Sequence, residues 1–381
     1  MKTSNQDLNE FLKKYKISEL HDSNIRNSPK QVNSDRIKKS FIEKSLNDTL
    51  KKNINPDYSF KKNILFSHFS PFLTEIEGLG LPLYTKIKFP NSKIHFTYDK
   101  GNKDSVKYKI DKEGNIILIH ELSKSYDIII ARSSSLINMS KRKKDMETLT
   151  KSKSIINIKT MSYKPNYKMA DYYFDEEDMC PPPDPCYLNK VNNFMKNRKK
   201  ENLIVMSGTL WYVKNQLNFL KNLDSSIIKN YELVIMGPER QPDYVKDIRG
   251  ICKEKKIKYY LIGNVNKNLA ALIKSLAKIS LIPMDMTVFG QPKGYPRTLG
   301  ESIGSKCLTL CNDVITVPSF YKNSVITYNE KIKNDQNRKL KKCIEVVEKE
   351  NFLSEHEWGD DCFYKFCQNV LEKCFSISNI N

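Results

Sequence analysis

From Asn202 onward the chain alternates short apolar runs with stretches of helical spacing. The runs predict strands at Leu203–Met206, Tyr231–Met236, Lys258–Ile262, Ile279–Pro283, Cys307–Cys311 and Val325–Tyr328. Between them the pattern predicts helices at Val213–Asn222, Tyr244–Lys255, Asn268–Ala277 and Arg297–Ser305. Such alternation builds a parallel sheet with helices on both faces, joined by right-handed crossovers. After Asn334, Leu340, Ile344 and Val347 mark one face of a further helix. Trp358, Phe363, Phe366, Val370 and Leu371 mark a last amphipathic one.

The first half is less regular. Asn63–Phe69 reads as a buried strand running into Ser70-Pro71 and then Gly78 and Gly80, the opening of a Rossmann-like half. Lys93–Thr97, Ile116–Ile119, Asp127–Ala131 and Ile155–Ile158 read as further strands, with poor helical patterns between them. Asp175–Asp178, followed by Pro181–Pro183, marks a loop near the domain boundary. Its carboxylates are sequential rather than spaced for ligation, which suits a solvated turn better than a metal site. In residues 1–60, Leu8, Phe11 and Leu12, then Ile37, Phe41 and Leu46, have rough helical spacing. We read this polar segment as a helical cover on the first domain, with a partner- or acceptor-binding arm as the alternative. The division expected is an extension over 1–60, a Rossmann-like domain over 61–198, a second over 199–345, and closing helices over 346–381 that pack back on the first domain.

A length of 381 residues suits two domains plus extensions, and 39% apolar content is enough for real cores. Lys plus Arg number 64 against 44 Asp plus Glu, a formal charge of +20. That field favours acidic partners, although a lysine-rich background gives the same total. No apolar run approaches the ~20 residues that span a bilayer. The segment MKTSNQDLNE lacks the apolar core of a signal peptide. The reading is therefore cytoplasmic, with peripheral membrane contact left open. Nine cysteines without a C-x-x-C pair indicate a reducing compartment and no structural zinc.

The chemistry concentrates in Pro283–Asp313, where a strand meets a Gly/Pro loop, a short helix and the next strand. A loop after the carboxyl end of a parallel strand, feeding a helix N-terminus, is where an open α/β sheet binds anions. Arg297 and Thr298 sit at that N-terminus and Glu301 about one turn on, which suggests a phosphate beside Arg297 and a hydroxylated group at Glu301. An ordinary α/β connection is the alternative. Three strands also end in glycine, at Gly208, Gly237 and Gly263, so backbone could approach a ligand along one sheet edge.

On these residues the stretch from about 200 to 330 resembles the nucleotide-binding half of GT-B glycosyltransferases, in particular the retaining family with the E-x7-E motif, glycosyl transferases group 1. Ser207-Gly208-Thr209-Leu210 with Lys214 is similar to that family's G-[RK]-L…K-G, with Thr209 in place of its arginine. Gly237-Pro238 and Gly263-Asn264-Val265 match its next two strand ends. Lys293-Gly294-Tyr295-Pro296 and Gly300-Glu301-Ser302 follow its E-G-F-P…E motif, with Lys293 in place of the first glutamate. Glu357-Trp358 resembles its last helix, which crosses back to the first domain.

The resemblance implies two Rossmann-like domains facing across a cleft. The donor would be a nucleoside-diphosphate sugar, UDP- or GDP-linked, with no further cofactor. Lys214, Arg297 and the backbone from Thr298 and Leu299 onward would stabilise the departing diphosphate, which makes a metal unnecessary; no Asp-x-Asp motif occurs. Glu301 would hold the ribose hydroxyls, Asn264 and Val265 the base, and Gly208, Thr209, Gly237, Gly294 and Tyr295 the rest of the donor. Lys293 brings positive charge near the phosphates and leaves retention open. His68, and second to it His120, would serve as base or sugar contact in the first domain. The acceptor would be a glycan, lipid or protein. The alternatives are an inactive GT-B protein that binds nucleotide or glycan, and a basic nucleic-acid-binding protein. The second is disfavoured because the basic residues are dispersed and form no reader module.

Overall fold

A computed structural model describes residues 3–17, 46–69, 79–99, 105–132, 143–158, 172–173, 183, 185–285, 296–315, 317, 319–349 and 361–378. The chain divides into two compact units. One comprises Lys30–Cys186 and Gly359–Asn381; the other comprises Met1–Pro29 and Tyr187–Trp358.

The first unit holds a seven-stranded sheet in the order β4-β3-β2-β1-β5-β6-β7. Its strands are β1 (Asn63–Ser67), β2 (Lys93–Asp99), β3 (Ser105–Ile110), β4 (Ile116–Ile119), β5 (Ile128–Arg132), β6 (Ile155–Ile158) and β7 (Tyr172–Tyr173). The central strands are parallel, and Ile64–Phe66 and Ile128–Ile130 are fully buried, as the continuous apolar runs of a doubly covered sheet require. β3 carries no such run. Its Lys107 and Lys109 alternate with Tyr108 and Ile110, and it pairs antiparallel with β2 and β4 as a half-exposed flank. The helix at 46–53 packs in this unit, with Leu46 and Leu50 buried and the Asn47 amide donating to the Glu113 carbonyl. So does the closing helix Asp361–Ile377, whose Phe375 packs against Phe60 and Phe89.

The second unit holds a six-stranded, wholly parallel sheet in the order β10-β9-β8-β11-β12-β13. The strands are β8 (Glu201–Ser207), β9 (Glu232–Met236), β10 (Tyr259–Gly263), β11 (Ala277–Ile282), β12 (Leu308–Asn312) and β13 (Val325–Tyr328). Alternate residues feed two cores. Ile204, Met206, Leu233, Ile235, Ile279, Leu281 and Leu310 meet Phe219, Ile248 and Leu340 on one face. Leu203, Val205, Val234, Met236 and Ile262 meet Leu269, Leu272 and Ile273 on the other. The helices that follow β8 and β11 therefore lie on opposite faces. The strand order reverses between those two strands, the switch point at which doubly wound sheets open a crevice.

Two expectations are corrected here. The extension does not cover the first domain as a whole: its helix Ser4–Lys14 packs on β10, the edge strand of the second sheet, with Phe11 edge-on to Tyr260. The buried Asp7 carboxylate takes a 2.7 Å bond from Arg249 and accepts from the Leu261 amide at 3.3 Å, which occupies an edge N–H that would otherwise invite another strand. Nor does the first domain run to 198, since the unit changes at Tyr187 and helix Pro185–Met195 packs with Val191 against Ala271. The acidic run at Asp175 and the residues Glu357-Trp358 lie outside the described residues.

Candidate functional site

The three glycine strand ends lie side by side. The Gly208 amide donates to the Met236 carbonyl (2.9 Å), and the Gly237 amide to the Gly263 carbonyl (2.8 Å). A side chain at Gly237, where φ is +150°, would put its Cβ 1.9 Å from the Gly208 carbonyl oxygen, so this glycine is there for backbone packing. Gly208 (φ +141°) is the opposite case: a Cβ there would meet nothing within 4 Å. Its outer side is open. Gly263 is covered instead, by Ser4 of the N-terminal helix and by Glu239, which are hydrogen-bonded to each other. Asn264 beyond it is exposed, and Val265 packs partly against the core.

Lys214 lies in the crevice between β8 and β11. The predicted helix Val213–Asn222 is broken: Tyr212–Lys214 forms one 3-10 turn, Asn215 takes a left-handed conformation (φ 57°), and the helix proper runs Gln216–Asn222. The turn is stapled to the end of β11, because the Asp285 amide donates to the Val213 carbonyl at 3.2 Å. The Lys214 ammonium then contacts the Met284 sulfur at 3.2 Å. Burial, and secondly the charge of Arg297, hold its pKa below the ordinary lysine value. Arg297 is thus close enough to act on Lys214 where the sheet opens. Thr209 is half-buried, and its carbonyl accepts from the Gln216 side-chain amide at 3.1 Å.

What holds the turn is a carboxylate that no local pattern singles out. Glu330, just past β13, accepts from the Asn215 amide (2.6 Å), the Asn218 amide (2.7 Å) and the Asn312 amide (3.2 Å). It ties the ends of β12 and β13 to the turn that carries Lys214.

Helix Arg297–Gly304 begins at Pro296, which offers no side-chain cap, and Arg297 is exposed there with Thr298 half-buried. Leu299 departs from expectation. Its side chain is wholly buried and its amide is taken by the Pro296 carbonyl at 2.9 Å, so neither is left for a ligand. Glu301 is a quarter exposed and pairs through Oε2 with Lys274, whose side chain is only 3% exposed. Its Oε1 accepts no hydrogen bond among the described residues. Lys274 also escaped the sequence reading; a lone lysine within Asn268–Ala277, otherwise rich in Leu, Ile and Ala, was the available signal. Lys293, Gly294 and Tyr295 lie outside the described residues.

The two histidines lie in the first unit. His68 follows β1 in a left-handed conformation (φ 68°), its amide donating to Thr97 Oγ1 at 3.2 Å and its ring stacked on Tyr98. Ser67, Thr97, Lys107 and Ile119 form one row across the sheet, so the exposed His120 stands three strands, ~14 Å, from His68.

Among the described residues no helix is long and apolar enough to cross a membrane. Residues 190–357 match the family model of glycosyl transferases group 1. A glycosyltransferase from Rickettsia africae ESF-5 superposes with a TM-score of 0.54 at 12% identity, over 83% of this chain and 98% of that one. The catalytic domain of starch synthase IV from Arabidopsis thaliana, bound to ADP and acarbose, gives 0.53 at 10%, over 85% and 100%. An alpha-glucosyltransferase in complex with UDP and a 13-mer DNA containing an HMU base gives 0.50 at 10%, over 84% and 100%. No curated protein matches. The fold and the family match agree: the chain has the GT-B fold, and its residues 190–357 match a group 1 glycosyltransferase domain.

Proposed function

We propose that the second unit binds a nucleoside-diphosphate sugar, UDP- or GDP-linked, at the carboxyl ends of β8 and β11, and that the sugar passes to a hydroxyl of a glycan, lipid or protein. The observation that carries this is the proximity of Lys214 and Arg297 past the carboxyl ends of the adjacent strands β8 and β11, the edge at which Gly208 keeps an open side. The anomeric carbon–oxygen bond breaks and its electron pair goes to the diphosphate. The acceptor oxygen forms the new bond and gives up its proton to the departing diphosphate. Charge grows on the leaving oxygens, and two fixed cations with an uncapped helix N-terminus lower that barrier with no need of a metal. Glu301, fixed by Lys274, would accept ribose hydroxyls through Oε1. Thr298, Thr209, Asn264 and Val265 would line the donor. Lys293 would add charge near the phosphates, and His68 is the residue we propose for the acceptor side. Retention at the anomeric carbon is the course the family resemblance suggests.

The test is donor hydrolysis and transfer, screened over UDP-, GDP- and ADP-sugars with anomeric stereochemistry read by proton NMR. One nucleotide should also raise thermal stability, by about 2.7 kcal/mol at 100 times its dissociation constant. Lys214→Ala should abolish turnover, and Glu301→Ala the stabilisation. If no nucleotide stabilises the protein, the donor site is wrong.

A second reading concerns the acceptor. The charge of +20, and a structural relative bound to DNA, make an anionic polymer the competing substrate class. Affinity for it would fall steeply with salt.

A further inference from the structure

We infer that the first unit carries a separate site for a small soluble ligand with phosphate-type oxyanions, in a basic cavity at the amino-terminal edge of its parallel strands. The inference does not depend on the donor site proposed above.

The cavity measures about 570 Å³, a size for a small organic ligand rather than a lone ion. Lys61, Lys86, Lys93, Lys109 and Lys112 line it, with Asp111 as its one carboxylate. Asp111 is already engaged, accepting from the Asn115 backbone (2.7 Å) and side-chain amide (2.9 Å). The side chains of Lys61, Lys109 and Lys112 make no hydrogen bond or ion pair among the described residues. Like charges gathered around a concavity repel one another, and an anion is what relieves them.

The buried lining residues supply directed donors. Lys86, 6% exposed, gives two of its three N–H groups to the Pro90 and Ser92 carbonyls at 2.7 and 2.8 Å, which leaves one. His95 is 4% exposed. Its Nδ1 meets the Tyr126 hydroxyl at 2.7 Å, and that hydroxyl accepts from the Ser123 amide at 2.9 Å. In the tautomer in which the phenol donates to Nδ1, the imidazole proton sits on Nε2. Nε2 makes no hydrogen bond among the described residues. Burial, then the charges of Lys93 and Lys109, lower the His95 pKa to about 4, so the ring is neutral at pH 7 and, as the Nε2–H tautomer, a donor. A neutral N–H donor beneath a rim of ammonium groups is a recognition surface for oxyanions.

The cavity is distinct from the edge that holds His68. Lys93 pairs with Asn63 at the start of β1, whereas His68 follows its end, ~16 Å along the strand.

The full chain is titrated with inorganic pyrophosphate while the His95 imidazole resonances are followed by NMR. A saturable shift is expected, persisting in 0.15 M chloride. Lys109→Ala/Lys112→Ala, at two exposed positions, should weaken binding at least tenfold. Lys214→Ala should leave it unchanged, which separates this site from the donor site. No saturable shift, an unaltered affinity in the double variant, or a loss with Lys214→Ala would each overturn the inference. Phosphatidylcholine vesicles with one-fifth phosphatidic acid form a parallel arm. A His95 response to these but not to pyrophosphate would overturn the soluble ligand in favour of a lipid headgroup.

Discussion

The pair Lys274–Glu301 joins two helices on one face of the second sheet, and its two ends are unequally buried. Lys274 is 3% exposed and Glu301 25%. That asymmetry predicts unequal costs for breaking the same bond. Glu301→Ala leaves an ammonium with no counter-charge in a place water barely reaches, and should cost ~3–5 kcal/mol. Lys274→Met removes the buried charge and fills its volume with an apolar stem. The orphaned carboxylate can rehydrate at its exposed end, so the cost should stay within ~1 kcal/mol. In Lys274→Met/Glu301→Ala no buried charge remains, and the double variant should resemble Lys274→Met alone, a coupling of ~3–5 kcal/mol. Urea unfolding of the wild type and the three variants, followed by circular dichroism, measures all terms. The functional consequence is separate. With Lys274→Met the Glu301 carboxylate is no longer held, and donor KM should rise about tenfold while kcat changes little. Equal costs for the two single variants, or an additive double variant, would refute the reasoning.

Other outcomes follow from the same geometry. Gly237→Ala forces Cβ against the Gly208 carbonyl and should destabilise by more than ~3 kcal/mol, measured by thermal unfolding. Gly208→Ala meets no atom and should cost only the ~1–2 kcal/mol of its backbone conformation, yet lose nucleotide affinity in calorimetry because the methyl occupies the open side. Burial and Arg297 make the Lys214 ammonium give up its proton earlier as pH rises. The kcat profile should therefore fall on its alkaline side below the ordinary lysine range, and Lys214→Arg should move that limb upward. Glu330→Ala frees three amides and loosens the Lys214 turn; kcat should drop at least tenfold with donor KM nearly constant, and Glu330→Gln should recover part of it.

Much of the second unit was legible along the chain. A fully buried parallel strand has to be apolar on both sides, so the runs at Leu203, Tyr231, Ile279 and Cys307 marked themselves, and helix periodicity filled the intervals. Glycine at strand ends, a helix N-terminus after a Gly/Pro loop, and a lysine one turn beyond β8 are all local signals. Edge elements were harder. β3 shows alternation interrupted by lysines, and nothing near Ser4–Lys14 says which sheet it covers. That choice rests on Asp7 meeting Arg249, 242 residues away.

Partnership was beyond the reach of local pattern. That Asn215 breaks a predicted helix depends on Glu330, 115 residues on, and that Glu301 is held depends on a lysine 27 residues earlier on another helix. Leu299 looks like a ligand-facing position by its place in a helix N-terminus; only the packed structure turns it inward and closes its amide. Strand and helix identity follow from short-range hydrophobic period, which is printed in the chain. The geometry of charges follows from which elements the fold brings together, and a burial that makes a carboxylate or an ammonium matter exists only once the sheet and its helices have closed around it.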